Sequence, residues 1–137
     1  MFLLDTNVLS ELRRRDRTHP AVAAWADRVH PADLFLSAIT ILEIEAGTLM
    51  LLRRDKAQGT MLRKWIDSQV LPTFEARILP VDTAVALRCA RLHVPDPQSE
   101  RDALIAATAL AHRLQLVTRN TADFAPMGVD LLNPWQH

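Results

Sequence analysis

Four carboxylates in this sequence stand where alternating strands and helices would gather them. Asp5 closes the apolar run Phe2-Leu3-Leu4, and Glu43 follows the apolar segment Leu34–Ser37. Asp102 heads the uncharged stretch Ala103–Ala111, and Asp123 lies just past Leu114–Thr118. Carboxylates crowded together repel one another unless cations neutralise them. Oxygen-only donors of this kind suit Mg²⁺ or Mn²⁺ rather than zinc. One or two such ions can activate a water and stabilise the charge of an in-line displacement at a phosphodiester. Beside the acids stand Thr6, Asn7, Thr118 and Asn120, neutral groups able to orient a carboxylate or hold a water.

Each acid also has a plainer reading. Thr40-Ile41-Leu42-Glu43 and Ser99-Glu100-Arg101-Asp102 both fit the spacing of a helix-capping box, in which the acid satisfies backbone N–H groups at a helix start. Asp5 could cap a helix, and Asp123 could be a surface turn acid. Taken singly, the residues leave capping and catalysis both open.

The elements that must position these acids can be read from hydrophobic patterning. Phe2–Leu4, Leu34–Ser37, Arg77–Val81, Leu114–Thr118 and Val129–Leu132 are short apolar runs, as expected of buried parallel strands. Helices are expected over Val8–Arg15, Pro20 to about Val29, Ser37 to about Lys56, Thr60–Val70, Thr83–Leu92 and the stretch after Arg101. Gln58-Gly59 should interrupt the third and fourth of these. Asp82 should cap the fifth, and Glu43 should sit in the first turn of the third. Val94-Pro95-Asp96-Pro97-Gln98 must be a loop, because two prolines so close exclude helix. Strands alternating with helices imply an α/β fold, a mainly parallel sheet with helices on both faces. In such sheets ligands bind at the carboxyl ends of the strands.

Composition narrows the reading. The chain has 137 residues, enough for one domain with a sizeable core, and spans 1–137 without linkers or repeats. Sixteen basic residues balance sixteen acidic ones, so any nucleic-acid contact must cluster its charge locally. The single cysteine, Cys89, excludes an internal disulfide and gives no Cys-based zinc site, as suits a reducing cytoplasm. Among apolar neighbours it reads as core filling. His19, His30, His93, His112 and His137 are scattered, with no pairing at ligand spacing, and read as surface or satisfied positions. Met1–Leu4 is too short an apolar run for a membrane span or a signal peptide. The expectation is a soluble cytoplasmic protein with no membrane contact.

Four motifs in order carry a resemblance: Leu3-Leu4-Asp5-Thr6-Asn7-Val8-Leu9, Leu42-Glu43-Ile44 with Ala46-Gly47, Asp102-Ala103-Leu104-Ile105-Ala106-Ala107-Thr108-Ala109, and Thr118-Arg119-Asn120-Thr121-Ala122-Asp123-Phe124. Together they resemble the PIN-domain proteins, in particular the VapC/FitB-like toxins of type II toxin–antitoxin modules, over essentially the whole chain. The resemblance implies a PIN-like three-layer sandwich of about five short strands and a metal-dependent endoribonuclease. Asp5, Glu43, Asp102 and Asp123 match the family's acidic quartet, which would hold Mg²⁺ or Mn²⁺. Thr6, Asn7, Thr118 and Asn120 match its flanking polar positions. The expected partners are substrate RNA, a second copy in a homodimer, and a small antitoxin that inhibits the toxin in a hetero-oligomer. Operator DNA is expected to be bound only through the antitoxin. Glu45 stands where such toxins often carry a basic residue.

RNA phosphates require local cations. Arg13, Arg14 and Arg15, expected on the helix after the first motif, and Arg119 within the fourth are the candidates; Arg53, Arg54 and Lys56 read as a solvated face. The apolar surface from Ile41 to Leu71, with Met61 and Trp65, exceeds what a core of this size needs and could receive an antitoxin helix or the dimer partner. A haloacid-dehalogenase-like site would need an acid where this chain has Asn7. A receiver domain would need an acidic pair before the end of the first strand and a late lysine, which are not evident. The remaining alternative is a PIN-like protein that has lost catalysis and acts as a binding or regulatory partner.

Overall fold

The computed structural model describes residues 1–136. Five parallel strands form the sheet: β1 (Phe2–Leu4), β2 (Leu34–Ser37), β3 (Ile78–Leu79), β4 (Gln115–Val117) and β5 (Leu131–Leu132), in the order β3-β2-β1-β4-β5. From the central β1 the chain steps outward through β2 to β3. It then crosses to the other side of β1 to place β4 and β5. The direction of winding therefore reverses between β1 and β4, the position where open α/β sheets form a crevice at their carboxyl edge.

Alternation along each strand separates two cores. Leu4, Leu36 and Val117 point to one face, where they meet Val8, Trp25, Ile44 and Ile66. Leu3 and Leu116 point to the other, against Ile105, Ala106, Ala109 and Phe124. The first face is covered by α1 (Thr6–Glu11), α2 (Pro20–Arg28) and α3 (Ala38–Arg54), together with the residues after α4 (Lys56–Trp65). The second is covered by α7 (Glu100–His112). Helix α6 (Thr83–Leu92) packs on α7 through Val85, Cys89, Ala103 and Ala107. Small residues along α7 let two helices and a sheet approach it closely, which explains its uncharged sequence. The sheet is parallel with helices on both faces, as patterning implied.

Boundaries differ from expectation in four places. Helix α1 stops at Glu11, where the Thr18 Oγ1 proton can serve either the carbonyl of Glu11 at 3.0 Å or that of Arg14 at 2.9 Å as the chain turns away. Arg13, Arg14 and Arg15 therefore lie beyond the helix. The break between α3 and α4 falls at Asp55, whose carboxylate accepts from Gln58 N at 3.1 Å and starts α4 there. Gly59 is buried inside α4; a Cβ there would lie 2.7 Å from Leu52 backbone atoms, so its absence sets the close packing of α4 on α3. Overpacking of this kind costs about 1–3 kcal/mol. The expected helix to Val70 changes to a π-helical turn over Ile66–Val70 before the short α5 (Leu71–Thr73). Finally, β3 is shorter than the apolar run that encodes it, and Asp123 lies within a one-turn helix, α8 (Thr121–Phe124).

Candidate active site

The candidate site is built outward from Asp5, which follows β1 and is buried with 5% of its surface exposed. Its Oδ1 accepts from Thr6 N at 2.8 Å, so it also caps α1. Its Oδ2 accepts from Thr118 Oγ1 at 2.8 Å and from Asn7 Nδ2 at 3.3 Å. Thr118 follows β4, 113 residues away in sequence, and is fully buried. Asn7 spans the same junction. Its Oδ1 accepts from Arg119 N at 3.2 Å, which fixes which way the amide points and ties the ends of β1 and β4 together.

Glu43 enters from α3. Its Oε1 accepts from Thr6 Oγ1 at 2.7 Å, and Thr6 Oγ1 lies 3.3 Å from Thr40 Oγ1. A hydroxyl has one proton. The Thr6 proton goes to the carboxylate, so Thr40 must donate in that second contact. Ser37, not Thr40, caps α3, with Ile39 N donating to its Oγ at 3.0 Å. The capping-box reading of Glu43 therefore fails, and Glu43 sits in the second turn rather than the first. The same reading fails for Asp102: Ser99 makes no side-chain cap, and Asp102 accepts no hydrogen bond among the described residues. Helix capping therefore accounts for neither acid.

Charge links the four acids. Burial pushes the Asp5 carboxyl above its usual range; the hydrogen bonds from Thr118 and Thr6 N oppose this, and the charges of Asp102 and Glu43 reinforce it. Asp102 is raised by burial and by the charges of Asp123 and Glu43. Asp123 is exposed, and its backbone N donates to Asn120 O at 3.1 Å, so Asn120 places it through the main chain. Asn120 N donates to Thr118 Oγ1 at 3.0 Å, while its side-chain amide makes no contact among the described residues. All four predicted acids thus lie within range of one another's charge, with Asn7 and Thr118 holding Asp5 and Thr6 holding Glu43 by side chain.

A cation fits this donor set. The oxygens are hard, two carboxyls are raised by unrelieved burial and repulsion, and Asp102 has no competing donor. The acids are not drawn tight, however. Among the described residues, the trio of ligand atoms lying within 4.8 Å of one another belongs to Cys89, His93 and Glu100. A divalent ion at the quartet would therefore be held partly through water, as Mg²⁺ commonly is.

That trio brings together a cysteine and a histidine that the sequence left apart. Cys89 and His93 are one helical turn apart, with Sγ 3.7 Å from Nε2, and Glu100 Oε2 lies 3.5 Å from the same nitrogen. Yet the ring is already committed. Gln98 N donates to His93 Nδ1 at 3.0 Å, which makes Nδ1 the acceptor and puts the ring proton on Nε2. That proton points at Glu100 and Cys89, so Nε2 has no lone pair for a metal. Cys89 is 4% exposed, with its thiol pushed up by burial and then by the Glu100 charge. It remains a core residue. His137 lies outside the described residues.

The predicted cations divide. Arg15 pairs with Asp27 at 2.5 Å, and Arg119 stacks its guanidinium 5.1 Å from the Trp135 ring centre. Glu45 is chelated by Arg63 at 2.6 and 2.7 Å, and Arg63 also holds Asp67 at 2.9 Å. These bonds keep the Glu45 carboxyl below its ordinary value. Glu45 therefore braces α3 against α4 rather than meeting a ligand. Sequence reasoning missed Arg101, whose Nη1 lies 3.9 Å from Glu43 Oε2. Its place one residue before Asp102 was the available signal.

Fold and site define an α/β domain with an acidic cluster where its sheet reverses direction. Residues 2–128 match the PIN domain, and the chain belongs to that family. It is 38% identical to the toxin FitB of Neisseria gonorrhoeae over 98% of this chain and 99% of that one. It is 37% identical to the VapC ribonuclease Y4jK of Sinorhizobium fredii over 99% of both. Among solved structures it matches FitAcB from Neisseria gonorrhoeae with a TM-score of 0.89 and 37% identity, covering 100% of each chain. It also matches a toxin–antitoxin complex from Klebsiella pneumoniae with a TM-score of 0.70 and 30% identity, over 98% of each.

Proposed function

We propose that this chain, acting as one PIN-like domain, is an endoribonuclease toxin of a toxin–antitoxin module. It hydrolyses RNA phosphodiester bonds with Mg²⁺ or Mn²⁺ held by Asp5, Glu43, Asp102 and Asp123. The observation that carries the reading is the electrostatic meeting of four acids, two of them raised by burial and mutual repulsion, around the Thr118–Asp5–Thr6–Glu43 hydrogen-bond chain. Membership of a family with a relative named as a ribonuclease supports it.

When bound, the divalent ion would supply neutralising charge and a Lewis acid beside the scissile phosphate. The chain's own residues do the rest. Thr118 and Thr6 N fix both Asp5 oxygens, and Thr6 Oγ1 fixes one Glu43 oxygen while leaving the other turned toward Arg101. An Asp102 oxygen, free of hydrogen bonds and raised in basicity, takes the proton of the attacking water. The water oxygen bonds to phosphorus, the bond from phosphorus to the ribose oxygen on the far side breaks with its electron pair going to that oxygen, and the oxygen takes a proton from solvent water.

The similar toxin–antitoxin complex supports a small antitoxin as partner, and the pairing would reach operator DNA through that antitoxin. The outer side of α3 exposes Leu42, Leu49 and Met50 at 48%, 51% and 66%, a helical stripe suited to the antitoxin or to a homodimer partner. No helix among the described residues is long and apolar enough to cross a membrane, which agrees with work in the cytoplasm.

The test is cleavage of total RNA by purified, antitoxin-free protein in Mg²⁺, Mn²⁺ or EDTA, beside Asp5→Asn and Asp102→Asn. Discrete fragments that need metal and both acids establish the enzyme. Absence of both cleavage and Mn²⁺ binding by folded protein would leave a non-catalytic PIN-like partner instead.

A further inference from the structure

Two cavities, one of them bordered by the acid cluster, share one side chain. The first, about 240 Å³, is bordered by Thr6 and Glu43 at its inner end and by Arg54 and Trp65 farther out. The second, about 360 Å³, is bordered by Arg13, Arg14, Met61, Lys64, Trp65 and Gln69. Half-buried Trp65 on α4 lines both, which puts the cations of the second cavity one side chain away from the cavity that Glu43 borders.

The charges along the two cavities follow a pattern. Arg15 and Arg63, the sequence neighbours of Arg14 and Lys64, are neutralised by Asp27 and by Glu45 with Asp67. Arg13, Arg14, Arg54 and Lys64 form no ion pair among the described residues. No acid borders the outer cavity, while Glu43 borders the inner one at the candidate site. Cations without partners beside an aromatic ring match a nucleic-acid strand whose phosphates need neutralising and whose bases need a stacking face. Only an unpaired strand can turn its bases onto such a ring.

We propose that Trp65, Arg13, Arg14 and Lys64 form a subsite for a single-stranded segment of the substrate RNA flanking the cleaved bond. The cations hold its phosphates, and the indole stacks against a base. This rests on the ribonuclease reading above.

The experiment measures binding of a labelled, mixed-sequence single-stranded RNA in EDTA by anisotropy across a salt series, using the full chain. Arg14→Ala and Lys64→Ala are compared with wild type, and an RNA duplex of equal length serves as control. Each variant should weaken single-strand binding roughly three- to tenfold and flatten the log–log salt slope by about 0.7. Trp65→Phe should bind nearly as wild type, and Trp65→Ala more weakly. Unchanged slopes in folded variants, while the wild type still cuts RNA with Mn²⁺, would overturn the subsite and leave the ribonuclease reading intact. Equal losses on duplex RNA would overturn its single-strand character. A change of oligomeric state with unchanged RNA binding would reassign the two cavities to a subunit interface. A wild type that neither binds nor cuts RNA would remove both proposals.

Discussion

Two clusters of metal-type side chains stand among the described residues, and they differ in a way that distances alone hide. Cys89, His93 and Glu100 are the closer set. Their valences are nonetheless met: the Gln98 N–H fills one ring nitrogen of His93, and the other ring nitrogen carries the proton. Asp5, Glu43, Asp102 and Asp123 are more widely spread, but their charge is not met. Asp5 and Asp102 are both pushed upward, and Asp102 has no donor. A ligand site is better recognised by what its groups still lack than by how near they stand.

The largest test of this contrast is loss of the acids. Asp5→Asn or Asp102→Asn should lower metal-dependent RNA cleavage on the order of a thousandfold or more, measured as initial rates on a defined RNA. Cleavage at wild-type rates would end the assignment of the acid cluster as the active site. Next come the side chains that hold the acids. Thr118→Val removes the 2.8 Å bond to Asp5, and Thr6→Val the 2.7 Å bond to Glu43. Each should cost about 10- to 100-fold in metal affinity or activity, read by Mn²⁺ titration, with the melting temperature showing whether the fold is kept.

A smaller effect has a definite sign. Because the fold raises Asp102, protonation of that group favours the folded state. The stabilising contribution is complete below the unfolded value, near 3.8, and is lost as pH rises through the folded value. At neutral pH the ionised Asp102 therefore destabilises metal-free protein. Asp102→Asn should raise the melting temperature in EDTA at pH 7 by a few degrees, with the gain shrinking toward pH 4. A lower melting temperature at pH 7 would show that the repulsion is not felt. The smallest expected effect is at the other cluster: Cys89→Ser or His93→Gln should leave RNA cleavage within about twofold. Tight Zn²⁺ binding that disappears with Cys89→Ser would show that proximity had outweighed the ring's hydrogen bond.

What could be read in the sequence follows the range of the interactions concerned. The strands and the acids at their ends were legible because apolar runs and terminal carboxylates are local patterns. The Glu43 and Asp102 spacings matched capping boxes, although a helix expected from Ser37 already put Thr40 too far in to be its cap; nothing local showed that Ser99 would leave its cap unmade. Gly59 looked like a breaker because its actual reason, the approach of Leu52, lies on another helix. The Thr18 bonds that end α1 early come from seven residues downstream. Arg101 and the Cys89–His93 contact were within reach: one neighbours a chosen acid, and the other is a one-turn spacing on an expected helix.

The loop at Val94–Gln98 has a consequence for how the chain can be divided. Asp5 and Glu43 precede it; Asp102 and Asp123 follow it. Strands β1, β2 and β3 likewise lie on one side and β4 and β5 on the other, so the same cut falls along the β1–β4 seam. A chain opened there yields two pieces, each with half the acids and one flank of the sheet. Neither piece alone holds a complete cluster, and only their reunion across β1 and β4 restores it. Activity recovered from the two pieces would therefore report whether the halves had met.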